Sequence, residues 1–465
     1  MSEVKLEDIV SLAKRRGFIY PGSDVYGGLS GTWDYGPLGV ALKRNIMQLW
    51  WKMFVEDAEN MYGVDAAILM NQKVWQASGH VDTFTDPLVE CSNCHGRFRA
   101  DKLDDPNKCP SCGKTDTFSE ARAFNMMFKT HVGPVMPERK ELVNAGGNAT
   151  LTDTADADEE GYPKSSISYL RPETAQGIFT NFKNVVDSYY PDVPFGIAQQ
   201  GKAFRNEISP RDFIFRSREF EQMEIEYFVH PDQWEPAFED WIKKVHAWCD
   251  ALGLPVESVH ELEVPEDDRA HYSKRTVDFE FDFPIGREEL LGLAYRTSFD
   301  LDNIATHSGK SMEYRPKDGS APYVPHVIEP SFGVERALMA VLSAAYREDE
   351  QNGEKRIYLA LPAHLAPVKV AVLPLVKNKP ELVAKAREVY TMLKKELGNV
   401  MWVDTGNIGK NYRKMDEIGV PYCVTVDFET LEGETKDTVT VRKRDDMAQE
   451  RVNIEDLYNQ LNAVT

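Results

Sequence analysis

"GKAFRNEISPRDFIFRSREFEQMEIEYF", Gly201 to Phe228, sets Arg205, Arg211, Arg216 and Arg218 among Glu207, Glu219, Glu221, Glu224 and Glu226. The apolar residues between these charges do not follow a helical period. "GIAQQGKAFRNE" and "REFEQMEIEYFV" flank "ISPRDFIFRS" and read as strand, mobile loop, strand, with Pro210 stopping the first strand. Side chains alternate along a strand, so Arg218, Phe220, Gln222 and Glu224 are expected on one face of the second. An aromatic ring, an amide and opposite charges on one face suit the floor of a site better than a core. A solvated charged surface is the plainer alternative, and the rest of the chain argues against it.

The chain has 465 residues, enough for roughly two to four domains. Its 42% hydrophobic and 28% charged residues are those of a soluble globular protein. No run approaches the ~18 apolar residues of a membrane span. "MSEVKLEDIV" has no basic region followed by an apolar one, so it does not read as a signal peptide, and a cytoplasmic location is expected. A net charge of −21 argues against nonspecific nucleic-acid binding. From Val368 onward 15 Lys+Arg face 16 Asp+Glu, a net −1, which leaves −20 for the remainder. The tail, with Arg442, Lys443 and Arg444 in "VRKRDD", is therefore the better place for a phosphate contact, although a solvated strand end reads the same way.

"GPLGVALKRNIMQLWWKMFVEDAENMYG" reads as one long helix opened by Pro37, and "VDAAILMNQKVW" as a strand-like run. The acidic "TDTADADEEGYP" (152–163) is an expected exposed loop. "DQWEPAFEDWIKKVHAWCDALGL" is helical and interrupts the core, and "TVDFEFDF" is a strand. Past Val368 short apolar strands alternate with helical stretches, the rhythm of a separate α/β domain. Cys91, Cys94, Cys109 and Cys112 form C-x2-C-x14-C-x2-C. Two such knuckles suit tetrahedral structural zinc, with a metal-free loop as the alternative.

With these elements in place, "FRNEISPRDFIFRSREFEQME" resembles motif 2 of the class II aminoacyl-tRNA synthetases, and "GVERALMAVL" resembles their motif 3. The segment after "WDYGPLG" resembles motif 1, with Asn71 where a proline is usual. Together with "SGHVDTF", "RPETAQGIF", "ELLGLAYRTSFDL", "VIEPSFGVER" and "PVKVAVLPL", in the family's order over nearly the whole chain, these strings resemble the homodimeric glycyl-tRNA synthetase family. The resemblance implies an α+β fold: a class II catalytic domain, an antiparallel sheet flanked by helices, over 1–365, then an α/β anticodon-binding domain over 366–465. Within the first it implies motif 1 at about 37–75, the cysteine insertion at about 86–165, motif 2 at about 201–228, a second insertion at about 231–285 and motif 3 at about 329–345.

The resemblance also implies an activity: glycine, ATP with Mg²⁺ and tRNA(Gly) as substrates, glycyl-adenylate as intermediate, and transfer to the 3′-hydroxyl of the terminal adenosine. Arg205 matches the arginine that holds the α-phosphate and the amino acid's carboxylate. Glu207 matches the carboxylate near the adenine amino group, and Arg216 a γ-phosphate contact. Phe220 and Arg336 match the adenine sandwich, and Glu289 a Mg²⁺ ligand. Asn206, Phe215, Arg218, Leu290, Gly333 and Glu335 complete the implied ATP contacts. Glu173, Glu224 and Glu329 match the acids around the glycine ammonium, with Gln222 beside them, and Ser331 closes the space where a side chain would project. Arg99 and Arg296 match positive groups near glycine or its carboxylate. Two other readings differ in activity: another synthetase of the same subclass, and a non-catalytic synthetase-like binder. The second would not need Arg205, Glu207, Glu289 and Arg336 together.

Overall fold

The computed structural model describes residues 4–134, 141–143, 149–151, 162–351 and 353–463. The acidic stretch 152–161, expected as an exposed loop, lies outside them. Among the described residues the largest sheet has seven strands: β1 (Met61–Gly63), β2 (Phe195–Phe204), β3 (Glu219–Val229), β4 (Val259–Glu263), β5 (Arg275–Phe283), β6 (Gly286–Thr297) and β7 (His326–Gly333). Their spatial order is β4-β5-β6-β7-β3-β2-β1. Every pairing is antiparallel except that of β1 with β2.

The two-residue repeat of the strands sorts this sheet into two unlike faces. Met223, Ile225, Phe279, Leu291, Leu293, Ile328 and Phe332 point to one side and join the main apolar core. Helices α1 (Pro37–Trp51), α3 (Trp234–Ala251) and α5 (Val334–Ala345) cover that side, contributing Trp50, Trp241, Trp248 and Leu338. The opposite side carries Gln222, Glu224, Asp278, Arg296, Glu329 and Ser331. Only its far end is apolar, where α2 (Ala175–Tyr189) packs Phe179 and Phe182 on Phe195 and Phe228. Helix α4 (Phe299–Ser308) flanks this end.

The long helix expected after Pro37 is α-helical to Trp51 and finishes in a π-helical turn, Lys52–Glu56. The end of the stretch read as helix is a strand, Met61–Gly63, and the strand-like run after it, 64–75, forms none of the named strands. From Gln72 to Ala77 it is a helix, capped by the Asn71 side chain, which accepts from the Lys73 N–H. The segment 231–285 does not stand apart from the core: α3 packs on the sheet, and β4 and β5 form its edge.

The C-terminal sheet comprises β8 (Val370–Pro374), β9 (Val400–Trp402), β10 (Tyr422–Val426), β11 (Thr438–Lys443) and β12 (Gln449–Asn453), in the order β9-β8-β10-β11-β12. β8 runs parallel to both of its neighbours, and the remaining pairs are antiparallel. Helices α6 (Pro380–Leu397) and α7 (Ile408–Glu417) complete the fold. The phosphate contact expected of Arg442 and Arg444 is not what the fold uses them for, since both are buried. Arg442 makes a two-pronged pair with Asp416 on α7, at 2.8 and 2.9 Å. Arg444 donates to the carbonyls of Gly419 and Leu361, both at 2.9 Å. Arg356, from the hairpin after α5, reaches Asp416 at 3.3 Å and the Arg444 carbonyl at 2.9 Å. These arginines fasten the tail to the body, leaving only Lys443 of the three exposed.

Asp416→Ala would strand the buried Arg442 guanidinium and take one acceptor from Arg356, so it should cost about 3–5 kcal/mol. The expected result is a lower urea midpoint for the C-terminal sheet. An unchanged midpoint would show that the network adds no stability.

Candidate active site

The polar face of the sheet holds two adjoining pockets. The larger, a cleft of about 920 Å³, is lined by Arg99, Arg205, Glu207, Phe215, Arg216, Phe220, Leu290, Gly333, Glu335 and Arg336, among others. The smaller, of about 810 Å³, includes Glu173, Glu224, Tyr272, Asp278, Gly292 and Glu329. Arg205, Gln222, Glu289 and Ser331 belong to both and form their common wall. One row across the sheet builds the floor: Gln199 pairs with Glu224, Glu224 with Ser331, Ser331 with Gly292, and Gly292 with Asp278.

In the cleft, Arg205 packs its guanidinium 5.3 Å from the Phe220 ring centre and 5.4 Å from that of Phe84, and donates to the Pro172 carbonyl. Arg336 lies 4.8 Å from the Phe215 ring centre and pairs with Glu289 at 2.9 Å. The charge of Arg336 outweighs burial, which acts the other way, and holds the Glu289 carboxyl below its usual range. The buried Oε2 of Glu207 has no partner among the described residues. Arg216 also lines the cleft, close enough to help lower Glu289.

Three residues matched to ATP contacts are bonded to the fold itself here. Glu335 accepts from the Tyr35 hydroxyl and from the Glu221 N–H, both at 2.9 Å, so it ties α5 to the chain ahead of α1. Burial raises its carboxyl to about 7. Arg218 does not share the face of Phe220 and Gln222. It precedes the strand, which starts at Glu219, and its guanidinium is taken by the carbonyls of Glu207 and Ser30. Asn206 uses its N–H on the Met126 carbonyl and does not line either pocket. The first strand ends at Phe204, well before Pro210.

In the smaller pocket Glu224, Glu173 and Glu329 are each held in place. Glu224 accepts from the N–H of Thr174 at 2.9 Å and from its hydroxyl on one oxygen. The other accepts from Gln222 and Ser331 at 2.8 and 2.7 Å. Burial, then the charge of Glu173, raises its carboxyl above the ordinary value. Glu173 meets His80 Nε2 at 3.4 Å. Burial would raise this carboxyl, but His80, then Arg296 and Arg205, bring it down to about 2. Glu329 takes Arg296 Nη1 on both oxygens, at 2.8 and 3.0 Å; burial pushes it up to about 8 against that pull. Arg296 is 2% exposed, also grips both oxygens of Asp300, and lies under the Tyr272 ring at 3.8 Å. It lines neither pocket and holds Glu329 and Asp300. Arg99 lines the cleft and not the smaller pocket, held by Asp86 and Asp101 at 2.8 and 2.7 Å.

Thr174, His80 and Asp300 were not singled out from the sequence. Thr174 sits at the start of a helix in "RPETAQG", where hydroxyl residues cap, and that position was its one signal. His80 Nδ1 lies 2.8 Å from the Ser78 hydroxyl, while its Nε2 faces Glu173. The four cysteine sulfurs lie within 4.8 Å of one another, with Cys91–Cys112 at 3.7 Å and Cys94–Cys109 at 3.6 Å. Tetrahedral zinc with ~2.3 Å bonds needs about 3.8 Å between sulfurs, so the set fits that ion. His95 turns away to Glu90 and is largely exposed. The Arg97 carbonyl next to this knuckle accepts from Ser209, in the loop between β2 and β3.

A family model for the "tRNA synthetase class II core domain (G, H, P, S and T)" matches residues 162–345, and one for an "Anticodon binding domain" matches 369–463. Fold, paired pockets and these matches define a class II aminoacyl-tRNA synthetase. Curated proteins named "Glycine--tRNA ligase" match nearly end to end. That of Thermobifida fusca is 45% identical over 479 residues, covering 98% of this chain and 97% of its own length. That of Borrelia hermsii is 45% identical, covering 98% and 96%, and that of Streptomyces coelicolor 45%, covering 99% and 98%. The chain belongs to the glycine–tRNA ligase family.

If Glu335 serves the fold, Tyr35→Phe and Glu335→Gln should each destabilise by about 1–3 kcal/mol. The double variant should lose less than their sum. Additive losses in chemical denaturation would mean that the two side chains act independently.

Proposed function

We propose that the chain joins glycine to ATP as glycyl-adenylate and passes the glycyl group to tRNA(Gly). The wall shared by the two pockets carries this reading. An amino acid whose ammonium faces Glu173, Glu224 and Glu329 presents its carboxylate toward Arg205, at the boundary with the larger cleft. ATP occupies that cleft, with its adenine between Phe220 and Arg336, its amino group at the free Glu207 oxygen and its γ-phosphate near Arg216. In that pose Glu289, now paired with Arg336, would be the carboxylate to hold the Mg²⁺ that comes with ATP, which would supply neutralisation of phosphate charge.

The glycine carboxylate is already ionised, so the first step needs no strong base. It needs alignment with the α-phosphorus and cancellation of the charge that builds on the phosphate oxygens, for which Arg205 is suited. The carboxylate oxygen bonds to phosphorus, and pyrophosphate leaves with the electrons of the broken bond. In the second step the terminal 3′-hydroxyl of tRNA attacks the activated carbonyl and AMP departs. Ser331 and Gln222 close the wall beside the ammonium, and a side chain on the amino acid would meet them. Glycine has no smaller competitor, so this steric test is sufficient. The C-terminal domain reads the anticodon.

Zinc in the cysteine knuckle, a homodimer built around motif 1 and a cytoplasmic location belong to the same reading. Among the described residues no helix is long and apolar enough to cross a membrane. A monomeric mass in light scattering would remove the dimer.

Pyrophosphate exchange with single amino acids is the deciding assay. Exchange with glycine, and not with serine or alanine, is expected. Arg205→Ala should lower it about 10²–10³-fold in a folded protein. Glu224→Gln turns an amide hydrogen toward existing donors, and should raise KM for glycine about tenfold or more while changing that for ATP little. Equal effects on both substrates would remove Glu224 from the ammonium site. Metal analysis should find about one zinc per chain, as four thiolates suit one ion. Cys109→Ser should loosen the knuckle, and with it Arg99 and the Ser209 loop, while the main sheet keeps its melting temperature. Full aminoacylation without metal would show that the cysteines are not a required site.

A further inference from the structure

Glu226 is 0% exposed, and neither oxygen of its carboxyl has a partner among the described residues. It lies one pleat beyond Glu224 on β3. The pairings Glu224–Ser331 and Tyr227–Ile328 on either side put it directly opposite Glu329 on β7. Opposed residues on antiparallel strands have Cβ atoms about 4.5–5.5 Å apart, so the two carboxyls are in reach of each other. The charged groups around Glu226 are Glu224 on its own strand, Glu329 on β7, Arg296 on β6 and Asp300 on α4. From α2, Phe179 and Phe182 pack beside Phe228, and the Gln176 amide donates to Asp300. Arg296 is already engaged by Asp300 and Glu329. Nothing is left to neutralise a second charge, and like charges opposed in a buried sheet are unfavourable. A proton therefore stays with the pair. It resides on Glu226, because Glu329 has the guanidinium and Glu226 has no donor at all. Burial, then the charge of Glu329, raises the Glu226 carboxyl in the same sense.

We propose that Glu226 is a positioning residue of the amino-acid pocket: a neutral acid that donates its O–H across the sheet to the Glu329 carboxylate and keeps that carboxylate ionised and aimed at the ligand's ammonium. The proposal rests on the glycine reading given above. Two donors then hold Glu329, the Arg296 guanidinium from one side and the Glu226 hydroxyl from the other. Glu226 itself lines neither pocket and touches no substrate.

The test compares Glu226→Gln with Glu226→Leu in glycine-dependent pyrophosphate exchange. Glutamine is neutral at every pH and keeps a donor for Glu329; leucine fills the space and offers none. Leucine should raise KM for glycine about ten- to hundredfold with KM for ATP unchanged, the loss expected when a donor to a buried charge is removed. Glutamine should restore glycine use to within a few-fold of the parent. Infrared spectra at pH 8 should show a protonated carboxylic acid band in the parent protein that the glutamine variant lacks, a readout that does not depend on whether the leucine variant folds. Equal KM values for the two variants, or no difference in the acid band, would overturn the proposal. Failure of the parent to exchange with glycine would instead overturn the reading on which it stands.

Discussion

A guanidinium taken out of water must be met by acceptors on every side, and Arg296 shows what that constraint organises. Its five donors and its flat face are answered by Asp300, Glu329 and the Tyr272 ring, which come from a helix, a strand and a loop. Removing any one acceptor would leave charge stranded in a low dielectric, where its cost is several kcal/mol. The surrounding elements are therefore fixed in relation to one another before any ligand arrives. Glu173, Glu224 and Glu329 inherit that order, because each stands within the field of the same cation. The pocket's excess of negative charge is tolerable only because these groups are held, hydrogen-bonded and partly protonated. It is also the property that makes an incoming ammonium welcome.

The knuckle shows the same logic on the other side of the site. Its few apolar residues could not organise the strand that carries Arg97 and Arg99 unaided. A metal bound by four thiolates would supply about 10–16 kcal/mol. Through the Arg97 carbonyl and Ser209, that order extends to the loop between β2 and β3. The arginines of the larger cleft thus rest on two supports that share no residue: the sheet beneath and the knuckle above.

Much of this was legible in one strand. Gln222 and Glu224 alternate with Met223 and Ile225, and that alternation alone separates site from core. The misreadings have physical causes. Arg218 lies one residue before its strand, and the carbonyls that claim it belong to Ser30 and Glu207, distances along the chain that no local pattern encodes. Arg442 and Arg444 look like surface charge because their partners, Asp416 and the carbonyls of Gly419 and Leu361, are brought near only by folding. The ion pairs of Arg296 were hidden for the same reason: a buried ion pair and a binding cation are written with the same letter. The apolar run 64–75 lacks the partner strand that would have kept it extended, and the Asn71 cap made its end helical. Glu226 drew no attention, since a glutamate at a buried parity is visible only once Glu329 is known to stand across from it.

The common wall of the two pockets has a consequence for ligands of another kind. Arg205, Gln222, Glu289 and Ser331 line both chambers, so the two adjoin along those residues. A single molecule that fills both chambers, with a non-hydrolysable link in place of the reacting bond, would meet the second chamber at the effective concentration set by its own short tether. Its affinity would approach the product of two weak ones, and it would be recognised by both halves of the wall at once. Compounds aimed at only one chamber forgo that multiplication. The wall is thus the feature that a selective inhibitor of this chain has most reason to straddle.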